Sequence, residues 1–395
     1  MTSSPGRKQT VGVIFGSRSV EHDVSIVTAQ QVIKALDTTK YEVVPIYITR
    51  DGKWLTGAPL TDINTFKADN IADITGVRET TLSPSIQQHG LITPPVASGL
   101  FSRQTVTRLD VLFPCVHGTH GEDGTLQGLF ELANIPYVGA GVAASAVAND
   151  KIMAKAILRQ AGLPVVEGVA FSRHEWLTDR DRIVQRIEKA LTYPLFVKPA
   201  TLGSSIGIAR PVDRAAALIA IDIAFTFDRR VLVEVAVEGV TEINCAVLGS
   251  TNIRPSVLEQ PVSWEQFLTY DDKYMRGGEG MKSAERRIPA PLDAELTAKI
   301  RQMAVDAFRA IDGRGTARID FLLKDGTVFV NEINTLPGSF AFYLWQAEKM
   351  TPTAVCDELI RLAFEAFTEK RRTTYDYKSG LLALAASRGL KGVKK

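Results

Sequence analysis

The sequence predicts an α/β protein: a doubly wound, parallel N-terminal sheet followed by two smaller α+β lobes. Three observations carry this. Apolar strands alternate with helix-periodic segments through the first 150 residues, the pattern of a parallel sheet with helices on its faces. After the stop Gly162-Leu163-Pro164 the chain changes to short strands around a Gly/Ser-rich loop. Near its end, Lys324-Asp325-Gly326 joins two strands as a hairpin turn. A length of 395 residues fits two or three domains. The expected divisions are 1–150, 151–228 and 229–370, with a basic tail over 371–395.

Each element has its own warrant. Val11 to Phe15 is an unbroken apolar strand, and Asp23 to Leu36 carries Val24, Val27, Val32 and Leu36 at helical spacing. Strands follow at Tyr41 to Ile48 and Asp110 to Val116, then a helix from Leu126 to Ala133. The stretch 56–108, rich in Thr, Ser and Pro, reads as irregular chain wrapping the first domain. Ser145 to Gln160 reads as one helix. Short strands are expected at Val165 to Phe171, Leu195 to Lys198 and Ile206 to Ala209, with a helix near 175–190. Val231 to Val235, Glu242 to Leu248 and Ile253 to Leu258 read as three strands in series. A charged loop spans 268–287, and helices over Asp293 to Ile311 and Pro352 to Phe367 flank the hairpin.

Composition excludes several classes. Forty-six basic and 44 acidic residues leave a net charge of +2, so no nucleic-acid footprint is expected. No apolar run reaches the roughly 18–20 residues of a membrane span, and Met1 to Thr10 reads as a short polar leader. Cys115, Cys245 and Cys356 each lie in an apolar run without close spacing, which suits buried, reduced thiols of a cytoplasmic protein.

Four constellations carry chemistry. In the hairpin, Glu332 and Asn334 are two residues apart and share a strand face, and Asp320 on the partner strand can share it too. Such oxygens suit Mg²⁺ beside phosphates, although a half-exposed sheet would show the same alternation. The run Lys198-Pro-Ala-Thr-Leu-Gly203-Ser204-Ser205-Ile-Gly207 places a lysine before a small-residue loop. It fits an anion cradle or an ordinary hairpin, and it is not a Walker A loop. Val116-His117-Gly-Thr-His-Gly121-Glu-Asp-Gly124 follows an apolar strand, where open sheets place ligands; no third ligand accompanies His117 and His120 for zinc. Glu21 follows the first strand and either serves a ligand or complements the dipole of the first helix. The dinucleotide fingerprint G-x-G-x-x-G is absent there, which argues against an oxidoreductase.

Together these segments resemble one family, the D-alanine–D-alanine ligases of the ATP-grasp superfamily. V-H-G-x-x-G-E-D-G-T-L-Q-G, K-P-x-x-x-G-S-S-x-G, Y-D-x-K-Y and R-I-D-F…N-E-I-N-T-x-P-G occur in the family's order, and the likeness runs from about Val11 to Phe367. It implies a three-domain ATP-grasp fold with two lobes clasping ATP. Asp320, Glu332 and Asn334 would then hold two Mg²⁺ ions, with Mn²⁺ a possible substitute. Lys151, Lys198, Ser205 and Lys273 would serve the phosphates, Glu234 the adenine edge and Glu242 the ribose. Glu21, linked to Ser204 and Tyr274, would take the first D-alanine's ammonium, with His117 among the substrate contacts. Arg318 and the Gly338 backbone would stabilise an oxyanion. The loop 268–287, with Arg276-Gly277-Gly278, would be a lid, and a homodimer is usual for the family. D-Alanine and ATP are the implied substrates, D-lactate or D-serine the alternative acceptors.

The chain departs from the family in one place. After N-T-x-P-G, better-known members carry a serine that binds the second D-alanine's carboxylate; here Tyr343 stands at that count. Tyr343 or Ser339 is the expected contact, unless Phe340, Phe342 and Trp345 are core around a shifted helix.

Overall fold

The computed structural model describes residues 7–96, 103–203, 206–262, 285–375 and 377–388. The first sheet is built on β1 (Gln9–Gly16), whose apolar run is buried almost throughout. It lies parallel between β2 (Tyr41–Ile48) and β8 (Val111–Pro114). Helix His22–Ala35 returns the chain from β1 and packs against it. The sheet is mixed rather than wholly parallel: β3 (Trp54–Thr56) and β4 (Arg78–Glu79) add antiparallel strands, giving the order β4-β3-β2-β1-β8. The reason is local. A tight turn at Gly52, with φ +91°, sends the chain straight back from β2, and such a turn cannot make a parallel crossover.

The stretch expected to be irregular holds more structure than that. Three 3₁₀ turns lie over 58–73, and β5 (Thr81–Leu82), β6 (Gly90–Thr93) and β7 (Thr105–Arg108) form a separate antiparallel sheet. Leu82 and Leu91 join a core with Ile46, Ile48 and Leu112.

The helix read over 145–160 is two helices, Val142–Asn149 and Lys151–Gln160. Asp150 breaks them, because its carboxylate accepts the Ile152 and Met153 amides as an N-cap. Next come β9 (Gly168–Ser172), β10 (Leu195–Pro199) and β11 (Arg230–Val235) in the order β10-β11-β9. Strand β11 therefore pairs with the strands of the second lobe, whereas its place in the sequence had grouped it with those of the third. Residues 206–209 contribute only an isolated bridge, Val197 to Ala209. Trp176, Ile187, Val197 and Val233 fill this lobe's core, covered by helices Arg180–Ala190 and Arg214–Phe227.

The third sheet has the order β14-β13-β12-β15-β16. Its strands are β12 (Thr241–Gly249), β13 (Arg254–Val262), β14 (Glu285–Arg287), β15 (Gly315–Lys324) and β16 (Thr327–Asn334). Asp325 and Gly326, at φ 47° and 77°, turn β15 into β16, as a two-residue hairpin loop requires. One face is apolar: Ile243, Cys245, Ile319 and Phe321 pack on Ile300, Ala304 and Phe308 of helix Ala294–Ala310. Helix Pro352–Lys370 returns to the first sheet, where Val355 and Leu359 meet Val13 and Phe113. All three cysteines are buried and free. No helix among the described residues is long and apolar enough to cross a membrane.

Candidate active site

The other face of the third sheet is polar, and the strand register shows why. Glu259 of β13 lies opposite Asn244 of β12, Asn244 opposite Asp320 of β15, and Asp320 opposite Glu332 of β16. Residues directly opposite in antiparallel strands point to the same side, so four polar side chains form a row across the sheet. Arg318 and Asn334, also opposite one another, flank that row two residues along. Glu332 and Asn334 share a face as their spacing predicted, and a bulge in the pairing between Asp320 and Phe321 brings Asp320 opposite Glu332.

Arg318 grips Asp320 with both ends of its fork, at 2.6 Å from Nε to Oδ1 and 2.7 Å from Nη2 to Oδ2. Asn334 adds an amide donor to Asp320 Oδ2 at 3.0 Å. Desolvation works against the guanidinium charge, but Asp320 outweighs it and drives the Arg318 pKa upward. Among the described residues no three His, Cys, Asp or Glu side chains cluster for a metal. The hairpin set is instead two carboxylates and one amide, all oxygen donors, which is the chemistry a hard cation accepts beside phosphate oxygens. By the chemistry of this donor set, two carboxylates and an amide oxygen on one face, the residues fit magnesium.

A second charged cluster lies where the middle lobe faces this sheet. Glu234 is only 1% exposed and pairs with Lys198 at 2.6 Å and Lys155 at 2.7 Å. Burial alone would raise its carboxyl, but the two ammonium groups hold it down at about 2. Desolvation lowers the Lys155 and Lys151 pKa values. Lys151 Nζ donates to the Leu202 carbonyl at 2.6 Å, in the Gly/Ser loop. Lys151, Lys155 and Lys198 thus converge on one corner. Glu242 stands exposed on β12, two residues from Asn244 and on its face.

The first sheet supplies a third corner. Glu21 is buried just before the first helix, and its amide is held by Ser19 Oγ at 3.1 Å. Its carboxylate lies so near Gly203 that a Cβ there would stand 3.1 Å from Oε2. Glu122 accepts from the Gly118 amide at 2.7 Å and the Leu336 amide at 3.2 Å. Desolvation, then the nearby Glu21 charge, push its carboxyl up. His117 is buried, shares a hydrogen bond with Thr28 Oγ1 at 2.8 Å, and is pushed down by burial to about 4. The imidazole is neutral at pH 7. Thr28 Oγ1 also accepts the Ser339 amide at 3.3 Å, tying this corner to the chain after the hairpin.

That chain runs Gly338–Ala341, then helix Phe342–Ala347. Ser339, Phe340 and Ala341 take left-handed φ values of 52°, 50° and 51°, an uncommon conformation for residues with a Cβ. Phe340 and Trp345 are fully buried, while Gly338 is exposed. Tyr343 does not offer its hydroxyl to an empty pocket: the phenol donates to Glu259 Oε2 at 2.5 Å. Burial, with Glu259 beside it, raises the phenol pKa.

Ser204, Ser205, Lys273 and Tyr274, with Arg276, Gly277 and Gly278 of the expected lid, lie outside the described residues. Sequence reading passed over Glu122, Lys155, Asn244 and Glu259. Glu122 stands inside a loop already singled out, and Lys155 lies one helical turn from Lys151. Asn244 and Glu259 gave no local signal, since only cross-strand register places them beside Asp320.

Comparison with known proteins agrees with this architecture. A family profile described as D-ala D-ala ligase N-terminus matches residues 10–140, and one described as D-ala D-ala ligase C-terminus matches 157–361. The chain is 39% identical to the D-alanine–D-alanine ligase of Thermosipho africanus, over 95% of this chain and 98% of that one. It is 41% identical to that of Heliobacterium modesticaldum, over 92% and 97%. Among solved structures, the VanG D-Ala:D-Ser ligase of Enterococcus faecalis superposes with a TM-score of 0.78 at 31% identity, covering 90% of this chain and 100% of that one. The D-alanine–D-alanine ligase of Coxiella burnetii gives 0.74 at 29%, covering 96% and 99%.

Proposed function

Because the chain belongs to the D-alanine–D-alanine ligase family, we propose that it joins two D-alanines to D-alanyl-D-alanine with ATP, for assembly of peptidoglycan precursors. The single observation that supports this best is the polar row on the third sheet. It sets Arg318, Asp320, Glu332 and Asn334 on one face.

In this reading ATP lies between the second and third lobes. Lys151 and Lys198 neutralise its phosphates, the Glu234 edge meets adenine, and Glu242 meets the ribose. Asp320, Glu332 and Asn334 would hold the magnesium ions, which when bound supply countercharge to the transferring phosphoryl group. Glu21 takes the ammonium of the first D-alanine, with neutral His117 packed behind it.

A carboxylate oxygen of the first D-alanine attacks the γ-phosphorus, and the bond to the bridging oxygen breaks, releasing ADP. The resulting acyl phosphate has a good leaving group. The amine of the second D-alanine then attacks the acyl carbon. Arg318 and the Gly338 amide offset the charge that develops on oxygen. Phosphate departs and the attacking nitrogen sheds a proton, leaving the peptide bond. Acyl phosphates hydrolyse in water, so the site must close during turnover.

Phosphate release from ATP and magnesium, measured with and without D-alanine, tests the reading. D-Alanine-stimulated release with a dipeptide of matching mass is expected; release that ignores D-alanine would remove the ligase assignment. The likeness to a D-Ala:D-Ser ligase keeps D-serine as a second acceptor reading. Competing D-alanine, D-serine and D-lactate as acceptors and weighing the products decides between them.

A further inference from the structure

We infer that Arg286 recognises the carboxylate of the second substrate, a role that the family's serine cannot fill here because Tyr343 has replaced it. The inference rests on the ligase reading above.

Strand β14 is the outer strand of the third sheet, and Arg286 sits opposite Pro261 of β13. Pro261 lies two residues from Glu259, so Arg286 projects from the same face as the polar row. Its Nη1 stands 3.1 Å from Glu259 Oε1, and its guanidinium lies over the Tyr343 ring, 4.5 Å from the centroid. Glu259 is thereby gripped from three sides, by Arg286, by the Tyr343 hydroxyl at 2.5 Å and by Asn244 Nδ2 at 3.1 Å.

Two consequences follow. The Tyr343 phenol is committed to Glu259, so it is poorly placed to donate to a substrate. Glu259 and the phenyl ring fix the plane of Arg286, while 38% of its side chain stays exposed. A planar fork held on one edge by Glu259 and on one face by the Tyr343 ring is suited to a carboxylate.

Position agrees with this. The amine and carboxylate of an α-amino acid are joined through one carbon, so the acceptor's carboxylate must lie within a few ångströms of the reacting centre. Arg318 and Gly338 border that centre in the ligase reading, and Arg318 holds Asp320, which stands in the same cross-strand row as Glu259, the partner of Arg286. Arg318 is bound bidentately to Asp320, whereas Arg286 meets Glu259 through Nη1 with 38% of its side chain exposed. The bland alternative is that Arg286 only balances the Glu259 charge.

D-Alaninamide separates the two, since it keeps the attacking amine and lacks the carboxylate. With the donor subsite saturated by D-alanine, D-alanine and D-alaninamide compete as acceptors, and both products are quantified by mass. The wild type should favour D-alanine. Arg286→Ala should cut that preference about tenfold, the size of one exposed charge-assisted contact, and Arg286→Lys should restore part of it. Arg286→Gln carries the same test should the alanine variant fail to fold. An unchanged preference in an active variant overturns the role, because loss of mere charge balance slows both acceptors equally. A wild type that makes neither product refutes the ligase reading itself, and the inference with it.

Discussion

Glu234→Gln is the sharpest test of the lysine corner. The substitution keeps the side chain's shape and removes its charge from between Lys155 and Lys198. At 2.6–2.7 Å, each ion pair is worth about 6 kcal/mol gross at an effective dielectric near 20. Desolvation cancels much of that, and losing one member of a buried ion pair costs about 3–5 kcal/mol net. The depressed carboxyl gives an independent figure. A fall from 4.5 to about 2 corresponds to about 3 kcal/mol of stability. The sign follows from the depression: this stability is present above pH 4.5 and lost as pH falls toward 2. At pH 7 the variant should therefore lose about 3 kcal/mol in the second lobe. Amide hydrogen exchange on β10 and β11 reads this directly, and protection should fall about a hundredfold. The deficit should narrow as pH rises, because desolvation already lowers the Lys155 pKa and lets that group shed the unbalanced proton. A change in protection below about threefold at pH 7, or a deficit that ignores pH, would show that the two lysines do not depend on Glu234.

Three further outcomes are expected. Glu332→Gln should keep the fold and lose most activity, with near-normal turnover at saturating magnesium ruling out the hairpin as the metal site. His117→Gln should shift acid unfolding to lower pH, as followed by circular dichroism. The buried imidazole's pKa lies at about 4 instead of 6.5, so the wild type loses about 3 kcal/mol as pH falls through that window, and an unchanged acid limb would refute the assignment. Tyr343→Phe removes a donor from buried Glu259, which should destabilise by about 1–3 kcal/mol and raise the acceptor's KM a few-fold while leaving the donor's unaltered. Equal shifts in both Michaelis constants would place Tyr343 elsewhere.

What the sequence determined by itself is local in origin. The apolar run of β1, the helical spacing after it and the Asp325-Gly326 turn depend on neighbours a few residues apart, and all three stand in the structure. The same holds for Glu332 and Asn334, two apart on one strand. Asp320 is different: the register set at the turn, with Phe321 opposite Val330, would put Asp320 opposite Asn331, and only a bulge between Asp320 and Phe321 brings it opposite Glu332. Asp150 marks the limit of that reasoning: a single capping carboxylate broke a continuous helical pattern that periodicity carried straight through.

Tertiary structure decided whatever depended on partners distant in the chain. Strand β11 resembles β12 and β13 in composition, yet its edges fit β9 and β10, and only assembly of the lobe reveals that. Glu259, Asn244 and Asp320 fall in one row because β13 takes one register against β12 and β12 one against β15, which lies some 60 to 76 residues away in sequence. Arg286 met Tyr343 the same way, across 57 residues, through an edge strand too short to announce itself. Periodicity tells which way a side chain points from its own strand. Which side chains share the space in front of it is fixed by strand register and by burial of the opposite, apolar face, and those form only when the whole sheet does.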